Sequence, residues 1–410
     1  MPEAISIFIS AGEASGEHYG ALLTAALQRR MVQARRSARF LGMGGVRMAA
    51  AGLERVVRAE DVAVMGLTEV VRHLPQIYRE FRKLKRAIRK SRPAVAVLID
   101  SPEIHLRLAK EFHRLGIPVI YFVSPQLWAW KKHRIRLVQR YVRRMLVIFP
   151  FEEPFYRERG VEAKFVGHPL ADLPLPASGR EEFAAENNLD SARTWIGLLP
   201  GSRAREIAAH LPEMLQAARL LASEAGTSEK YEFVVPLAPT LTEAQRLAIA
   251  KQIANLASGL TVRLTSDARA TLHHARVSLV ASGTATVEAA LIGNPFIVIY
   301  RVSALTYAIA RRMVKVPHVA MANLIAGRRV VPELIQNDFT AATCVQYMKR
   351  LLPDGPDRQS MMRELAAVGD ALRTGDRGGI AIERVADIVL EQIEAAGPSL
   401  RRAAQPCTQS

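Results

Sequence analysis

The sequence predicts an α/β fold of two Rossmann-like, doubly wound domains that face each other across a cleft, with a helical C-terminal segment. β-rich runs alternate with amphipathic helices, this series occurs twice, and a proline-rich stretch at 168–177 separates the two series. At 410 residues the chain is also longer than one hydrophobic core usually supports. We therefore expect one domain at 1–170, a second at 171–395 that includes the final helices, and a disordered tail at 396–410.

The first series contains six runs with the apolar, β-branched composition of strands and five amphipathic segments. The run at 94–99 is apolar on both faces, which is typical of a central parallel strand covered by helices on both sides. The strands are predicted at 5–10, 39–42, 94–100, 119–123, 145–149 and 164–167, and the helices at 18–30, 67–90, 104–115, 133–142 and 152–159.

The second series repeats the alternation, and the segment at 332–396 has a helical pattern throughout. In doubly wound sheets ligands bind beyond the carboxyl ends of the strands, so the loops that follow strands are the places to search for a site. The strands are predicted at 195–199, 232–235, 261–264, 277–281 and 295–300, and the helices at 205–222, 242–257, 268–274, 284–292 and 305–314.

Composition excludes several protein classes. With 49% hydrophobic and 23% charged residues the chain should fold, and two cysteines, Cys344 and Cys407, are too few for a disulfide framework or a zinc cluster. The N-terminus lacks the basic region and long apolar region of a signal peptide, and no stretch is long and apolar enough to span a bilayer. We expect a cytoplasmic protein whose membrane contact is peripheral.

Positive charge is concentrated in the first half of the chain. The formal net charge is +17 at pH 7; residues 1–170 hold 30 Lys and Arg against 15 Asp and Glu, whereas residues 171–410 hold 26 against 24. An excess of this kind fits nucleic acid, an anionic membrane or anionic substrates, because all three present phosphate to Lys and Arg.

The densest basic segment lies at 72–92, where nine cations surround apolar residues at helical spacing. The apolar stripe is typical of the core face of a helix that covers a sheet. The cations favour docking on anionic lipid, at around 1 kcal/mol for each cation near the surface. The residues predicted to face lipid are Arg82, Lys83, Arg86 and Arg89.

A glycine-containing loop follows the first predicted strand and opens the first helix. Backbone N–H groups at such a helix start point toward ligand, although a tight turn capped by Ser15 explains the glycines equally well. Its spacing fits neither a dinucleotide fingerprint nor a P-loop. The candidate residues of this N-terminal loop are Gly12, Ser15, Gly16 and Glu17.

Asp100 ends the most hydrophobic strand of the chain and is the candidate general base. A carboxylate at the carboxyl end of a central strand is poorly solvated, which raises its pKa toward the range that suits a base. The alternative is a helix cap before Pro102, and the residue alone does not decide between the two. Glu103 fits a first-turn charge favoured by the helix dipole.

Three loops of the second half are candidates for a phosphate-bearing ligand. The segment PGSR at 200–203 combines small residues with an arginine at a helix start, which suits a diphosphate. The segment at 282–288 offers hydroxyls and amides, with helix capping as the alternative, and 321–328 offers a polar loop side chain. The candidate residues are Gly201, Ser202, Arg203, Ser282, Gly283, Thr284, Glu288 and Asn323.

Nine segments, in order along both predicted domains, resemble those of the lipid-A-disaccharide synthase family. No HExxH, CxxC, GxSxG or DxD motif accompanies them, so we expect neither a metal nor another cofactor. The segments are AGEASGEHYGA (11–21), VMGLTEV (64–70), IDSPE (99–103), YFVSPQLWAW (121–130), PFEEPFY (150–156), FVGHPLAD (165–172), LLPGSR (198–203), ASGTATVEAAL (281–291) and MANLIAGR (321–328).

The resemblance implies an inverting glycosyltransferase of GT-B architecture in lipopolysaccharide synthesis. Its substrates would be UDP-2,3-diacylglucosamine and 2,3-diacylglucosamine 1-phosphate (lipid X), and its products a β-1′,6-linked disaccharide 1-phosphate and UDP. Asp100 would act on the acceptor hydroxyl, Arg203 at the diphosphate, Glu288 at the ribose and Asn323 near the donor. The first domain would take the lipid acceptor at the cytoplasmic face of the inner membrane, and a homodimer is one option for the oligomeric state.

Three positions depart from the family pattern, and two other functions compete with it. Glu17 and Glu103 stand where the family more often has Asp, and Val46 replaces a usual proline. A UDP-N-acetylglucosamine epimerase would use a soluble UDP-sugar, which the basic helix argues against. A nucleic-acid-binding protein would need a recognisable RRM, KH or zinc-finger signature, so no nucleic-acid partner is expected.

Overall fold

The computed structural model describes residues 4–62, 67–224, 230–313, 316–374 and 380–403. The chain divides into two compact units. The first unit is formed by the chain up to Asp172 together with the chain from Thr374 onward, and the second is Leu173–Arg373. In the described part of the chain, no helix is both long and apolar enough to cross a bilayer.

The first unit is built on a parallel sheet of seven described strands in the order β3-β2-β1-β4-β5-β6-β7. The chain order reverses direction between β1 and β4, so the loops after these two strands lie at the topological switch point where doubly wound sheets bind ligands. The strands are β1 (Ile5–Ala11), β2 (Ala38–Gly44), β3 (Leu53–Arg58), β4 (Val95–Ile99), β5 (Val119–Phe122), β6 (Arg144–Val147) and β7 (Ala163–Phe165).

Helices cover this sheet, and every residue of β4 is buried, as its apolar sequence predicts. Phe8, Leu98, Phe112 and Tyr121 are completely buried in the core that the sheet forms with its helices. Burial of each such side chain contributes about 1.5–3 kcal/mol. The helices are α1 (Ala14–Gln33), α2 (Val46–Ala50), α3 (Leu67–Ser91), α4 (Pro102–Arg114), α5 (Ile135–Tyr141) and α6 (Glu152–Arg157).

The second unit repeats this architecture with six described parallel strands in the order β10-β9-β8-β11-β12-β13. Here the chain order reverses between β8 and β11. The strands are β8 (Thr194–Leu199), β9 (Tyr231–Pro236), β10 (Val262–Thr265), β11 (Val277–Ala281), β12 (Phe296–Tyr300) and β13 (Glu333–Ile335). The helices are α7 (Arg180–Asn187), α8 (Ala204–Glu224), α9 (Glu243–Leu256), α10 (Ala268–His274), α11 (Thr284–Ile292), α12 (Ala304–Met313), α13 (Met321–Ala326), α14 (Ala341–Leu351) and α15 (Pro356–Ala371).

The predicted fold class of two Rossmann-like α/β domains is confirmed, but two strands were missed. β3 was not predicted, and β13 lies inside the segment that was predicted to be helical throughout. Both are edge strands that pair with one neighbour, β3 with β2 and β13 with β12. Short edge strands depend on that pairing more than on their own sequence pattern.

The final helix, α16 (Ala381–Ala403), belongs to the first unit and not to the second, where the sequence prediction had placed it. Its apolar face is buried against α1 and β4, and its acidic side chains add contacts with α1. Glu383 accepts from Arg29 at 2.6 Å and from Arg30 at 3.0 Å, both on α1. Asp172, the last residue before the second unit, accepts from the Ala381 N–H at 2.7 Å.

The prediction of a disordered tail is wrong for residues 396–403, because α16 continues to Ala403. Residues 404–410, with Cys407, lie outside the described residues. The first three residues of the segment VMGLTEV, 64–66, also lie outside them.

Candidate functional site

Asp100 follows β4 in a strained loop at the switch point of the first sheet. Its φ is +53° and that of Ser101 is +45°, both in the left-handed region that side chains other than glycine rarely adopt. The Asp100 N–H donates to the Phe122 carbonyl oxygen at 3.0 Å. A Cβ atom on Gly12 would lie 2.6 Å from Ser101 Oγ, so a larger residue at position 12 would displace the Ser101 side chain.

Two buried side chains hold the backbone of Asp100. Its carbonyl oxygen accepts from Tyr121 Oη and lies 2.7 Å from His105 Nδ1. Because a carbonyl oxygen only accepts, His105 carries its proton on Nδ1, and its Nε2 accepts from Ser10 Oγ at 2.8 Å. Burial lowers the pKa of His105 to about 4, so the ring stays neutral near neutral pH.

The environment of Asp100 suits a general base. Burial raises the pKa of its carboxyl to about 7, and the nearby Glu13 and Glu103 add to the rise, while the Ser101 N–H opposes it. The pKa of Glu103 is lowered, because hydrogen bonds from Lys131 and Arg134 outweigh the effect of burial. Two neighbouring carboxyls with pKa values moved apart are typical of a site where one exchanges a proton and the other stays charged.

The N-terminal loop has a mainly structural arrangement. Glu13, not Ser15, is the N-cap residue of α1, and the cap has no side-chain hydrogen bond. Gly16 lies where a Cβ would make ordinary contacts with Ala11 and Ile99. Glu17 Oε1 accepts from the Arg47 N–H at 2.8 Å at the start of α2, so this carboxylate links two helices of the same unit.

In the second unit, backbone N–H groups of the loop between β8 and α8 donate to a carboxylate at the start of α8. Gly201 has a φ of +122°, and the N–H groups of Ser202 and Arg203 donate to Glu206 Oε2 at 3.2 and 3.4 Å. The guanidinium of Arg203 is 66% exposed and lies 3.6 Å from the same carboxylate. These donors therefore already hold a negatively charged oxygen. Glu206 belongs to no recognisable sequence motif.

A buried histidine braces this loop as His105 braces the loop after β4. His210 Nδ1 lies 2.6 Å from the Pro200 carbonyl oxygen, and its Nε2 accepts from the Arg301 N–H at 2.9 Å. Each histidine lies on the helix that follows its loop, and each donates to the first residue of that loop. Neither contact has a sequence motif that would have predicted it.

The loop after β11 is exposed at its end, and Glu288, which lies in α11, is half-buried. Gly283 is the N-cap residue of α11, with a φ of +149° and no side-chain cap hydrogen bond, so the capping alternative is not realised through a side chain. Ser282 is half-buried, whereas Gly283 and Thr284 are exposed. Burial raises the pKa of the Glu288 carboxyl, and Arg269 opposes that rise.

Asn323 is completely buried, and its amide group is occupied within the protein. Its Oδ1 accepts from the N–H groups of Val330 and Val331 at 2.7 and 2.9 Å. Its Nδ2 donates to the Val331 carbonyl oxygen at 3.0 Å and to Glu333 Oε1 at 2.8 Å. Asn323 lies in α13 and not in a loop as predicted, and its side chain fixes the backbone that follows this helix. A role next to a donor stays a prediction.

The basic helix α3 has the predicted core face and an exposed basic face. Leu84 and Ile88 are buried, whereas the four cations predicted to face lipid are exposed. Two of these cations are paired, Lys83 with Glu80 at 2.8 Å and Arg89 with Glu111 at 2.7 Å. The other two are Arg82, which lies over the ring of Tyr78, and Arg86.

No group of three or more His, Cys, Asp and Glu side chains in the described ranges is arranged to hold a metal ion. The polar groups at the two switch points are carboxylates, guanidinium and ammonium groups and backbone N–H donors. The structure brings Asp100 together with Glu13, Glu103 and His105 in the first unit, and Gly201, Ser202 and Arg203 with Glu206 in the second.

Comparison with known proteins connects this geometry to a family. A family model described as lipid-A-disaccharide synthetase matches residues 7–375. A lipid-A-disaccharide synthase of Acidobacterium capsulatum is 59% identical, with 96% of this chain and 98% of the relative covered. One of Koribacter versatilis is 49% identical, with 94% and 98% covered.

Solved structures share the fold at low sequence identity. A putative UDP-N-acetylglucosamine 2-epimerase of Listeria monocytogenes superposes with a TM-score of 0.61 at 14% identity, with 96% of each chain covered. The glycotransferase of kitacinnamycin superposes with a TM-score of 0.60 at 15% identity, covering 95% of this chain and all of the other. At these identities the likeness concerns the fold alone.

Proposed function

Because the chain belongs to the lipid-A-disaccharide synthetase family, it is a glycosyltransferase that makes the disaccharide of lipid A, and we propose that it joins UDP-2,3-diacylglucosamine to 2,3-diacylglucosamine 1-phosphate. The main observation behind the proposed chemistry is the environment of Asp100. Its carboxyl lies at the switch point of the first sheet, and burial raises the pKa of this carboxyl to about 7. A base with that pKa is half ionised near neutral pH, where it can accept a proton from an alcohol.

The proposed reaction is a single displacement that inverts the anomeric carbon of the donor sugar. Asp100 removes the proton from the acceptor 6-hydroxyl while that oxygen forms the new bond to the anomeric carbon. The bond from this carbon to the diphosphate breaks on the opposite side, and UDP leaves with the electron pair. The backbone clamp from His105 and Tyr121 keeps the carboxyl positioned, so little reorganisation is needed at the moment of transfer.

The leaving diphosphate is assigned to the loop between β8 and α8. The N–H groups of Ser202 and Arg203 already hold the Glu206 carboxylate, which supports a role as donors to an anionic oxygen. In the proposal, a diphosphate oxygen takes these donors from Glu206, and the exposed Arg203 guanidinium adds a charge-assisted contact. The negative charge of UDP is then balanced by these protein groups.

The nucleoside is assigned to the loop after β11. Ser282, Gly283 and Thr284 would contribute hydroxyl and N–H donors, and the Glu288 carboxyl would accept hydrogen bonds from the ribose diol. The burial that raises the pKa of Glu288 also makes such hydrogen bonds stronger, because water competes less for them. Asn323 would act indirectly, because its hydrogen bonds fix the backbone at Val330 and Val331.

Release of UDP tests this function directly. We expect the purified protein to release UDP from UDP-2,3-diacylglucosamine only when 2,3-diacylglucosamine 1-phosphate is also present, with one disaccharide formed for each UDP. Soluble UDP-N-acetylglucosamine serves as the matched control and should be neither consumed nor epimerised. Release of UDP without acceptor, or conversion of the soluble sugar, would contradict the proposal.

The exposed basic face of α3 is proposed to dock the enzyme on anionic lipid at the cytoplasmic face of the inner membrane, where its acylated substrates would reside. Arg82 and Arg86 should contribute most, because Lys83 and Arg89 are already paired with carboxylates. The face therefore attracts a membrane chiefly through cations that have no ion pair within the described part of the chain.

Vesicle binding tests this docking surface. Replacing Arg82 and Arg86 together with Gln should weaken binding to anionic vesicles by roughly 30-fold at low salt, from about 1 kcal/mol for each cation. The same replacement of Lys83 and Arg89 should have a smaller effect, and replacing all four should reduce the salt dependence of binding. Equal effects of the two pairs, or vesicle binding that ignores both substitution and salt, would contradict electrostatic docking.

A further inference from the structure

Two cations converge on one carboxylate beside the loop that holds Asp100. Lys131 Nζ lies 3.1 Å from Glu103 Oε1, and an Arg134 guanidinium nitrogen lies 2.9 Å from the same oxygen. The carboxylate side chain is 58% exposed, whereas those of Lys131 and Arg134 are 26% and 20% exposed. Lys131 and Arg134 together carry two positive charges against the one negative charge of Glu103. The most exposed side chain of the three is the carboxylate.

The backbone around these cations is fixed. Lys131 has a φ of +51°, and its ammonium group lies 4.0 Å from the centre of the Trp130 ring. The Arg134 N–H donates to the Lys131 carbonyl oxygen at 2.9 Å in a 3₁₀ turn that leads into α5. An isolated surface ion pair would gain little from such an arrangement, because exposed pairs contribute about 0–1 kcal/mol.

A buried carboxyl anchors the segment that carries the cations. Glu152 accepts from Ser124 Oγ at 2.6 Å and from Trp128 Nε1 at 3.0 Å, which are both in the segment between β5 and Lys131. It also accepts from the Phe149 N–H at 3.2 Å beyond β6. The cations are therefore presented by a segment tied to the core of the first unit, as a preorganised binding group requires.

One member of the cluster, Glu103, lies next to the loop that holds the proposed base. Glu103 lies in the first turn of α4, three positions after Asp100, and contributes to the raised pKa of that carboxyl. The positive charge of Arg134 acts on the hydroxyl of Tyr121 and partly offsets the rise in its pKa caused by burial. This hydroxyl donates to the Asp100 carbonyl oxygen. A ligand that presents a hydroxyl to Asp100 would thus bring its other polar groups near Lys131 and Arg134.

We propose that Lys131 and Arg134 form a binding subsite for the phosphate monoester of the acceptor, with Glu103 as the counter-ion that the phosphate replaces. This inference rests on the proposed function, in which the acceptor carries a 1-phosphate. A phosphate monoester has a charge of about −1.5 to −2 and three acceptor oxygens, so it can bind both cations through separate oxygens. Glu103 satisfies both through one oxygen.

The test compares two acceptors that differ only in phosphate, 2,3-diacylglucosamine 1-phosphate and 2,3-diacylglucosamine. In the unmodified protein we expect a higher kcat/KM for the phosphorylated acceptor. Lys131→Gln with Arg134→Gln should reduce that preference by about 10- to 100-fold, through KM for the phosphorylated acceptor, because two charge-assisted contacts are lost. The KM for the UDP-sugar should not change.

Two matched variants separate binding from structure. Lys132→Gln with Arg136→Gln removes two exposed cations of the same segment and should leave the preference intact. Glu103→Gln breaks the same ion pairs as the double variant, yet it keeps both cations and should retain or increase the preference. A preference that falls as far in either of these variants as in the Lys131 and Arg134 variant would overturn the subsite.

The outcomes also separate this inference from the function on which it rests. Equal losses of kcat/KM for both acceptors in the Lys131 and Arg134 variant would show a structural cluster and overturn the subsite, while the glycosyltransferase assignment would stand. An unmodified protein that used neither acceptor would overturn the substrates proposed above and the subsite with them.

Discussion

Replacing Asp100 with Asn is expected to lower turnover at least 100-fold while the affinity for UDP stays unchanged. The amide has nearly the same shape as the carboxyl but cannot accept the proton, and the loss of a general base typically costs about 10²- to 10⁴-fold. The backbone clamp through the Asp100 carbonyl oxygen is kept in this variant, so the loop should retain its conformation. Steady-state turnover and UDP titration calorimetry measure the two quantities.

A carboxylate elsewhere in the same unit supplies the control for this variant. Glu54 pairs with Arg39 at 2.6 Å, and both side chains are 55% exposed. Because an exposed pair of this kind contributes little, Glu54→Gln should leave turnover unchanged. Near-normal turnover in Asp100→Asn, with thermal unfolding unchanged, would remove Asp100 from the role of base.

Replacing Arg203 with Ala is expected to lower turnover by about 10²- to 10³-fold, the usual effect of removing one group that stabilises transition-state charge. The guanidinium is 66% exposed and only loosely paired with Glu206 at 3.6 Å, so its loss should not destabilise the fold. The binding of UDP should weaken as well, since UDP carries the same diphosphate. Turnover and UDP affinity should both be measured, with thermal unfolding as the check on folding.

Arg203→Lys is the informative companion variant. Lysine keeps the charge but loses the fork of donors that binds two oxygens at once, so its turnover should lie between that of the unmodified protein and that of Arg203→Ala. Unchanged turnover and UDP affinity in both variants would show that Arg203 has no contact with the leaving group.

The sheets could be predicted because each main strand carries its own signal. β4 is apolar on both faces and was placed correctly, as was the strand that precedes PGSR. β3, β13 and the docking of α16 depend on partners distant in sequence, such as the pairing of Glu383 with Arg29 and Arg30. A local sequence pattern contains no information about contacts between distant residues, and these features were missed for that reason.

The same distinction applies to the site. The sequence placed Asp100 and Arg203 at strand ends because parallel strands always deliver their following loops to one edge. It could not predict the hydrogen bonds from Tyr121 and His105 to Asp100, or that Glu206 occupies the anion-binding N–H groups. These contacts require coordinates.

Predictions about polar side chains also missed contacts that form only in the folded protein. Asn323 was predicted as a polar group in a loop, but it lies in α13 and its amide is hydrogen-bonded within the protein. The four cations predicted to face lipid were treated as one group, but Glu80 pairs with Lys83 and Glu111 pairs with Arg89.

The most direct test of the account is the pH dependence of kcat/KM for the unmodified protein and for Asp100→Asn. The pKa of the Asp100 carboxyl is raised to about 7, so the base is ionised above that pH, and kcat/KM should fall tenfold for each unit of pH below it. The residual activity of Asp100→Asn should lack this acid limb. An acid limb near pH 4, where an unperturbed aspartate titrates, or a limb near pH 7 that persists in Asp100→Asn, would contradict the assignment of Asp100 as the base.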